Sequence, residues 1–355
     1  MLDFLKCPHV EFGEYGVCVA FYFHSVFSHK MTAVRYIDGG HYMKGFFDQV
    51  FQHVTNPKHL TFNVYSVFDS DHKKTSGILI LVCGEPANLK NHTRAHMIID
   101  CKNMPNMRPN VPFVYLPFYV TSFGERFHNT VSDLLKPKIP AQVVPHKTKF
   151  CAFLYSQQIS FRNQLYDAVN RYKAVDALGK ARSNLARSQV DRDVYEPGVR
   201  TYNDLAVAKY KPYKFVICCE NSRHPGYVTE KIVSAMLANA IPIYLGAPDI
   251  VAHFNPKSFI HVGNYQTYED AVEEIQRIDH DNTAYEQMLR EPWLVNNELT
   301  PYFDPKRIAD AINRVSSRFA TNPNPALGHV VRRVPTKQKG ASTMKRRTLR
   351  RRKLR

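Results

Sequence analysis

The residues best suited to chemistry follow an apolar run, Phe-Val-Ile-Cys-Cys, which predicts a buried strand ending at Glu220 and Asn221. A turn with Pro and Gly comes next, and Thr229 is a competent N-cap for a predicted helix. The N–H groups and dipole at a helix start favour an anion such as a diphosphate. Lys231 adds positive charge there, and Glu230 can accept hydrogen bonds from sugar hydroxyls. An ordinary capped helix would show the same pattern.

Alternating strand and helix patterns position this segment. In the first 140 residues the sequence predicts a strand at 17–23, an amphipathic helix across 43–54, and strands at 60–67 and 77–83. The last of these runs is apolar at every position, as expected for a parallel strand covered by helices on both faces. The sequence therefore predicts an α/β domain over residues 1–145.

A second alternation follows residues 136–149, whose three prolines and lack of periodicity predict a linker. Strands are predicted at 150–155, 215–219, 241–245 and 259–262, and helices at 161–172, 230–239, 268–278, 282–290 and 305–318. The predicted architecture is thus α/β, with a second domain at 146–320 that faces the first across a cleft. Residues 321–355 form a linker with Pro and Asn, followed by a basic tail.

Charge is distributed unevenly along the 355 residues. The net charge is +17, but residues 331–355 hold 12 of the 48 Lys and Arg and no Asp or Glu, so the rest of the chain carries 36 basic and 31 acidic residues. A hydrophobic content of 44% excludes a mostly disordered or fibrous chain. Because the chain before residue 331 is only mildly basic, nucleic acid is not the expected main partner. The tail could contact an anionic membrane or another polyanion.

The seven cysteines are odd in number and form no CxxC pair, which favours free thiols in a reducing compartment. No window approaches the roughly 18 apolar residues of a membrane-spanning helix, and the start lacks the features of a signal peptide. These observations predict a cytoplasmic protein with peripheral membrane contact through its tail.

The whole segment from Glu-Asn through Tyr-Val-Thr-Glu-Lys to Ile-Pro-Ile-Tyr-Leu-Gly closely resembles the donor-binding motif of the α1,3/4-fucosyltransferases. Within that family the layout is closest to the bacterial members. The resemblance is strong over 150–290, weak over 75–120 and absent from the first 60 and last 35 residues. It implies a GT-B fold, with two Rossmann-like domains, and inverting transfer of L-fucose from GDP-fucose to an acceptor glycan. It also implies that no bound metal or other cofactor is needed.

The resemblance also implies roles for particular residues. Lys231 would neutralise diphosphate charge, and Glu230 would contact ribose or the positive charge that develops on fucose. Arg182 falls where the family places an arginine on the diphosphate, a task suited to its forked guanidinium. The implied donor-binding residues, with weaker candidates last, are Glu220, Asn221, Tyr227, Lys231, Arg182, Ser156 and Arg162.

Inverting transfer is a single displacement, so one base must take the proton of the acceptor hydroxyl. Glu85 is the predicted base because it follows the strand at 77–83, and its Cys-Gly-Glu context resembles the position of the base in bacterial family members. An exposed turn residue is the alternative interpretation, and Asp100 is the alternative base. His92 and His96 are interpreted as surface or packing residues.

Some properties are not implied by the resemblance. The N-terminal half selects the acceptor in such enzymes, so α1,3 linkage to GlcNAc or a similar sugar is a hypothesis only. No metal site is expected, since Asp69-Ser-Asp71 is interpreted as a polar turn and the His92–His96 pair lacks the glutamate of HExxH. The rival hypotheses are a GT-B enzyme with another nucleotide sugar and a retired protein that binds sugar or polyanion.

Overall fold

A computed structural model describes residues 33–37, 43–55, 60–68, 76–87, 89, 92, 94–105, 110–123, 127, 129–185 and 202–321. The predicted strand at 17–23, Cys7, Cys18, the Asp69–Asp71 pair and the basic tail lie outside the described residues. Both sheets described below belong to one compact unit that begins at Thr32.

Among the described residues of the N-terminal half, five parallel strands form a sheet in the order β1-β2-β3-β4-β5. The strands are β1 (Ala33–Ile37), β2 (Thr61–Ser66), β3 (Ile78–Cys83), β4 (Met97–Asp100) and β5 (Phe113–Tyr115). The helices of this half are α1 (Lys44–Phe51) and α2 (Phe118–Thr121).

The apolar run of β3 is buried along its whole length. Its side chains alternate between the two faces of the sheet, because successive residues of a strand point in opposite directions. Ile78, Ile80 and Val82 join the core that contains α1, whereas Leu79 and Leu81 join a smaller cluster on the opposite face. The central strand is thus fixed from both sides, which holds its carboxyl end in place.

The second described sheet is also fully parallel, in the order β10-β9-β8-β6-β7. Its strands are β6 (Lys149–Phe153), β7 (Val175–Ala177), β8 (Tyr213–Cys219), β9 (Ile241–Leu245) and β10 (Ile260–His261). The helices are α3 (Pro140–Val143), α4 (Ser160–Tyr172), α5 (Tyr202–Tyr210), α6 (Glu230–Leu237), α7 (Tyr268–His280), α8 (Asn282–Arg290) and α9 (Pro305–Thr321).

Most elements predicted from periodicity within the described residues are confirmed, with ends that shift by up to three residues. The short strands β1, β5 and β7 and helix α5 were not predicted, since three to five residues or a short non-amphipathic helix give little periodic signal. The five described cysteines are free and buried. No helix of the described residues is long and apolar enough to cross a membrane.

The segment 136–149, predicted as an aperiodic linker, contains α3 and a 3-10 turn, and α3 packs against α8. Pro140 occupies the first turn of α3, where a proline is tolerated because its missing N–H would be unpaired. Two lysines anchor the segment, of which Lys138 is buried and Lys147 is half-buried. Lys147 Nζ donates to two backbone carbonyls at 2.8 Å, and the Lys138 ammonium lies 3.5 Å from the centre of the Trp293 ring.

Helix α9 returns from the second sheet to the first and packs against α1. Asn313 Oδ1 accepts a hydrogen bond from the backbone N–H of Thr55 at 2.8 Å, and Arg307 donates to the carbonyl of Tyr115 at 2.6 Å. The chain therefore joins the two halves twice, once on the way out through 117–148 and once on the way back.

His253 lies buried between the two halves. Its Nε2 is 3.1 Å from the hydroxyl of Tyr115, and its Nδ1 is 3.3 Å from that of Tyr119. Because the Tyr115 hydroxyl donates to the carbonyl of Gly226 at 2.8 Å, it accepts from Nε2–H, which leaves Nδ1 as the acceptor for Tyr119. The network therefore assigns the neutral Nε2–H tautomer to this ring.

We expect His253 to make the stability of the fold depend on pH. Burial lowers the pKa of His253 from 6.5 to about 4. As the pH falls, the imidazole is therefore protonated in the unfolded chain before it is protonated in the folded protein. The contribution of neutral His253 to the free energy of unfolding is complete above pH 6.5, and about 3 kcal/mol of it is lost as the pH falls to 4. In urea unfolding at pH 7, 5.5 and 4.5, His253→Gln should lose stability less steeply than wild type. The control is His224→Gln at an exposed site; equal slopes for wild type and His253→Gln would contradict the expectation.

Candidate active site between the two sheets

Glu220 fixes the turn between β8 and α6. Its carboxylate is fully buried, and it accepts hydrogen bonds from the backbone N–H of Thr229 at 2.8 Å and from the Thr229 hydroxyl at 2.7 Å. Burial raises the pKa of Glu220, while Lys231 and the Thr229 bonds oppose that shift. Thr229 is the N-cap of α6, as predicted, but its side chain makes no cap bond to the helix and donates to the Glu220 carboxylate instead.

Lys231 places a positive charge in the first turn of α6. Its Nζ donates to the Thr229 hydroxyl at 2.9 Å and lies 3.6 Å from a carboxylate oxygen of both Glu220 and Glu230. Burial works against this charge, but Glu230 and Glu220 outweigh it and raise the pKa of Lys231. The amine therefore stays protonated at neutral pH, beside the positive end of the helix dipole.

A cavity of about 230 Å³ opens beside this helix start. It lies at the carboxyl ends of β6 and β8 and is bounded by α5 and α6, as expected for a ligand site in an open parallel sheet. Its lining includes the polar residues Tyr155, Ser156, Gln157, Asn203, Tyr210, Asn221, Glu230, Lys231 and Ser234. Four of these were predicted from the sequence: Ser156, Asn221, Glu230 and Lys231.

Asn203 is a lining residue that the sequence did not reveal. It lies on α5 and is 4% exposed, and among the described residues its Nδ2 has no hydrogen-bond partner. An unpartnered buried amide is costly, so a ligand atom that accepts from it would be favoured. The signal was missed because α5 itself was not predicted.

Arg162 lies beneath the site and does not line the cavity. Its guanidinium is buried, stacks 3.9 Å above the ring of Tyr155, and donates from Nη2 to the carbonyls of Cys219 and Glu220 and to Asn221 Oδ1 at 2.9–3.2 Å. Arg162 therefore holds the end of β8 and orients Asn221, rather than reaching into the cavity.

Arg182 follows β7 and forms an ion pair with Asp167 of α4. It has a φ of 58°, a left-handed backbone conformation that is uncommon outside glycine and asparagine. It is not among the residues that line the cavity. The structure thus places this predicted phosphate ligand apart from the lining group that contains Lys231.

Glu85 and Tyr227 meet across the cleft. Glu85 follows β3 after one glycine and is half-buried, and its Oε2 accepts a hydrogen bond from the hydroxyl of the buried Tyr227 at 3.3 Å. Burial, with Glu220 and Glu85, raises the pKa of Tyr227, so the phenol remains a donor. Glu85 also contributes, after Glu230 and Glu220, to the raised pKa of Lys231.

The turn before Tyr227 is held by residues of both sheets. The backbone N–H of Asn103, beyond β4, donates to the carbonyl of Pro225 at 3.0 Å, and Asp249 accepts from the N–H of Gly226 at 2.8 Å. Gly226 has a φ of 75°, and a Cβ there would lie 2.7 Å from both Asn103 N and the Tyr115 ring. Only glycine fits this close approach.

The remaining candidates lie apart from the cleft. Asp100 is fully buried, and burial raises its pKa. It therefore has no route to a bound acceptor. His96 Nδ1 accepts from the backbone N–H of Leu79 at 3.0 Å, and its ring packs edge-on against Phe319, as the packing interpretation predicts. His92 is also buried. The described residues contain no cluster of three or more His, Cys, Asp or Glu able to hold a metal ion.

The two described sheets are both parallel and have the architecture of the GT-B fold. The fold is similar to crystal structures of an α1,3-fucosyltransferase. One has a TM-score of 0.60 at 22% identity and covers 83% of this chain and 93% of that one. Another, with GDP-fucose, has a TM-score of 0.59 at 20% identity and covers 83% and 94%.

Residues 144–307 match the model of glycosyltransferase family 10 (fucosyltransferase), C-terminal part. The match covers just under half of the chain and confirms the resemblance found in the sequence. A protein of Acanthamoeba polyphaga mimivirus named as a fucosyltransferase is 36% identical over 222 residues, 62% of this chain and 34% of its own length. An α-(1,3)-fucosyltransferase of Helicobacter pylori is 34% identical over 160 residues, 45% and 30%. The chain thus spans about a third of the length of these two relatives.

We expect Glu220→Gln to lower the free energy of unfolding by about 1–3 kcal/mol, because a buried amide cannot accept from both donors of Thr229 and carries no charge to face Lys231. Urea titration can follow the fluorescence of Trp293, the single tryptophan of the chain, which is buried. Glu230→Gln, one residue from Thr229 but only partly buried, is the matched control and should cost less than about 1 kcal/mol. Equal losses in the two variants would contradict the assignment.

Proposed function

We propose that this chain transfers L-fucose from GDP-fucose to a hydroxyl of an acceptor glycan, with inversion at the anomeric carbon and Glu85 as the base. The observation that carries the proposal is the contact between Glu85 and Tyr227. It brings a carboxylate of the first sheet within 3.3 Å of the motif that opens α6 on the second. A base and an anion site on opposite walls of one cleft are what a single displacement requires.

The donor site is assigned to the start of α6 and the cavity beside it. Lys231 and the helix dipole would hold the diphosphate, and Glu230 would accept from the ribose or stabilise positive charge on fucose. The cavity between α5 and α6 would receive the nucleoside, with Ser156, Asn221 and Asn203 in its wall. The names of the relatives and the GDP-fucose complex of a similar fold support this assignment.

Arg182 would join the donor site only after its side chain has moved. Its guanidinium pairs with Asp167, so it would reach the diphosphate only by leaving that carboxylate. An exposed ion pair of this kind is worth at most about 1 kcal/mol, which a diphosphate could exceed. Glu220, Tyr227 and Arg162 would support the donor site through contacts within the protein.

The proposed reaction is one displacement. The acceptor oxygen attacks the anomeric carbon of fucose while its proton passes to the Glu85 carboxylate, and the bond from that carbon to the diphosphate breaks with its electrons going to GDP. Lys231 would compensate the charge gained by the leaving diphosphate, so no metal is expected to be needed. Tyr227, which donates to Glu85, would orient the carboxylate.

A mass-spectrometric assay tests the function. The protein would be incubated with GDP-fucose, GDP-mannose or UDP-sugars and with acceptors that end in GlcNAc, galactose or xylose, each with and without EDTA. The expected product is heavier by one deoxyhexose, forms only with GDP-fucose and persists in EDTA. A product formed with another nucleotide sugar instead would show that GDP-fucose is not the donor. No product and no GDP binding by calorimetry would indicate a retired site.

The α1,3 linkage to GlcNAc is the finer part of the proposal. Linkage analysis of the product tests it independently of the donor and of the reaction. A product linked through another hydroxyl would remove this part and leave the transfer reaction standing.

We expect Glu85→Gln to lower turnover by roughly 10²–10⁴-fold and to leave the affinity for GDP unchanged, because the amide cannot take a proton while the anion site stays intact. Turnover would be measured in the transfer assay and GDP binding by calorimetry. Glu273→Gln, at an exposed carboxylate on α7, is the matched control. Wild-type turnover in Glu85→Gln would remove Glu85 from the mechanism.

Lys231→Ala should weaken GDP binding by about tenfold or more, since a charge-assisted hydrogen bond is worth about 1.5–3 kcal/mol. The dissociation constants of GDP and guanosine would be compared by calorimetry, with the exposed Lys257→Ala as control. Guanosine lacks the diphosphate, so its affinity should change little. An equal loss for both ligands would show that Lys231 acts on the fold instead.

A further inference from the structure

The turn that carries Glu85 is closed by its own backbone. The carbonyl of Glu85 accepts from the N–H of Ala87 at 2.7 Å and from the thiol of Cys83 at 2.9 Å. These bonds fix the shape of the turn but not its position relative to the rest of the sheet. A half-buried carboxylate on a short turn could therefore move unless something outside the turn holds it.

Lys102 supplies that outside contact. It follows β4, is only 3% exposed, and its ammonium donates to the carbonyl of Ala87 at 2.6 Å. Its own backbone N–H donates to Asp100 Oδ1 at 2.9 Å, and its Nζ lies 3.8 Å from Asp100 Oδ2. The lysine thus spans from the end of one strand to the turn that follows the neighbouring strand.

The ends of these two strands are themselves joined. Cys83 faces Asp100 in the parallel register, and the N–H of Cys101 donates to the carbonyl of Cys83 at 2.9 Å. The backbone pairing between β3 and β4 stops at this point. The next link is made by a side chain, because the Lys102 ammonium donates to the carbonyl of Ala87.

A buried charge pair adds little stability on average, because removing two charges from water costs about as much as their attraction returns. An apolar residue would fill the same space at no such cost. What an apolar side chain cannot do is donate to the carbonyl of Ala87 and so fix the turn that bears the proposed base.

We propose that Lys102 is a positioning residue for Glu85, with Asp100 as its counter-ion. The inference rests on the proposed function, since it concerns the base of that reaction. Lys102 does not touch the substrate in this assignment. It acts by holding the turn so that the Glu85 carboxylate stays within reach of the acceptor hydroxyl, where a displacement of about 1 Å can cost a hundredfold in rate.

The test compares Lys102→Met in two backgrounds, with GDP-fucose and the acceptor that gives most product in the panel above. In the wild-type background kcat should fall by about 10- to 100-fold, with unchanged KM for GDP-fucose and unchanged GDP affinity. In the Glu85→Gln background the same substitution should have no further effect on the residual turnover, because the group it positions is gone.

Lys147→Met is the matched control. Lys147 is a half-buried lysine that also donates to backbone carbonyls, but those carbonyls belong to Lys211 and Ala238 in the second half of the chain. It should lower the melting temperature with little change in kcat. If Lys102→Met alone does not fold, Lys102→Met with Asp100→Asn removes both charges and keeps an acceptor for the backbone N–H of residue 102.

The outcomes separate the two proposals. Normal turnover in Glu85→Gln would overturn the base, and with it the function as written. A strong defect in Glu85→Gln, combined with a Lys102→Met effect that is equally large in both backgrounds, would overturn the positioning role alone. An unchanged kcat in folded Lys102→Met would do the same.

Discussion

The buried carboxylate of Glu220 is the constraint on which the rest of the site depends. A carboxylate with no access to water must be fully hydrogen-bonded, and here both oxygens are occupied by the N–H and hydroxyl of Thr229. That requirement fixes where α6 begins relative to the end of β8. The positions of Lys231 and Glu230 follow from it, and so does the cavity that they line. The segment 220–231 therefore fixes the local fold as well as lining the cavity.

The sequence was sufficient for what depends on local pattern. The apolar run of β3 and the amphipathic stripe of α1 predicted their elements, and the strand–turn–helix around Lys231 predicted an anion site. The sequence could not show which polar residues point inward. Glu220 and Arg162 are charged residues of the types that bind ligands, yet in the fold both are hydrogen-bonded to other parts of the protein. Burial decides between these uses, and burial is a property of the packed chain.

The sequence could not predict the contacts between the two sheets, for a different reason. Glu85 and Tyr227 are separated by 142 residues, and neither has a local pattern that indicates the other. Their approach depends on Gly226, whose missing side chain lets the turn lie against Asn103 and Tyr115. The neutral His253 between two tyrosines fixes the same approach from behind. The relative placement of base and donor motif is thus encoded in the packing between the halves.

The return of α9 to the first sheet has a consequence for how the chain is made. Residues 305–321 are among the last of the described part to leave the ribosome, yet they cover α1 near the beginning. Until they emerge, the apolar face of α1 that α9 buries stays open to water and to other chains. The first sheet therefore cannot complete its folding before residues 305–321 have emerged, however early its strands form. Protection by a chaperone would matter most in that interval, and removal of α9 by truncation would expose the same surface permanently.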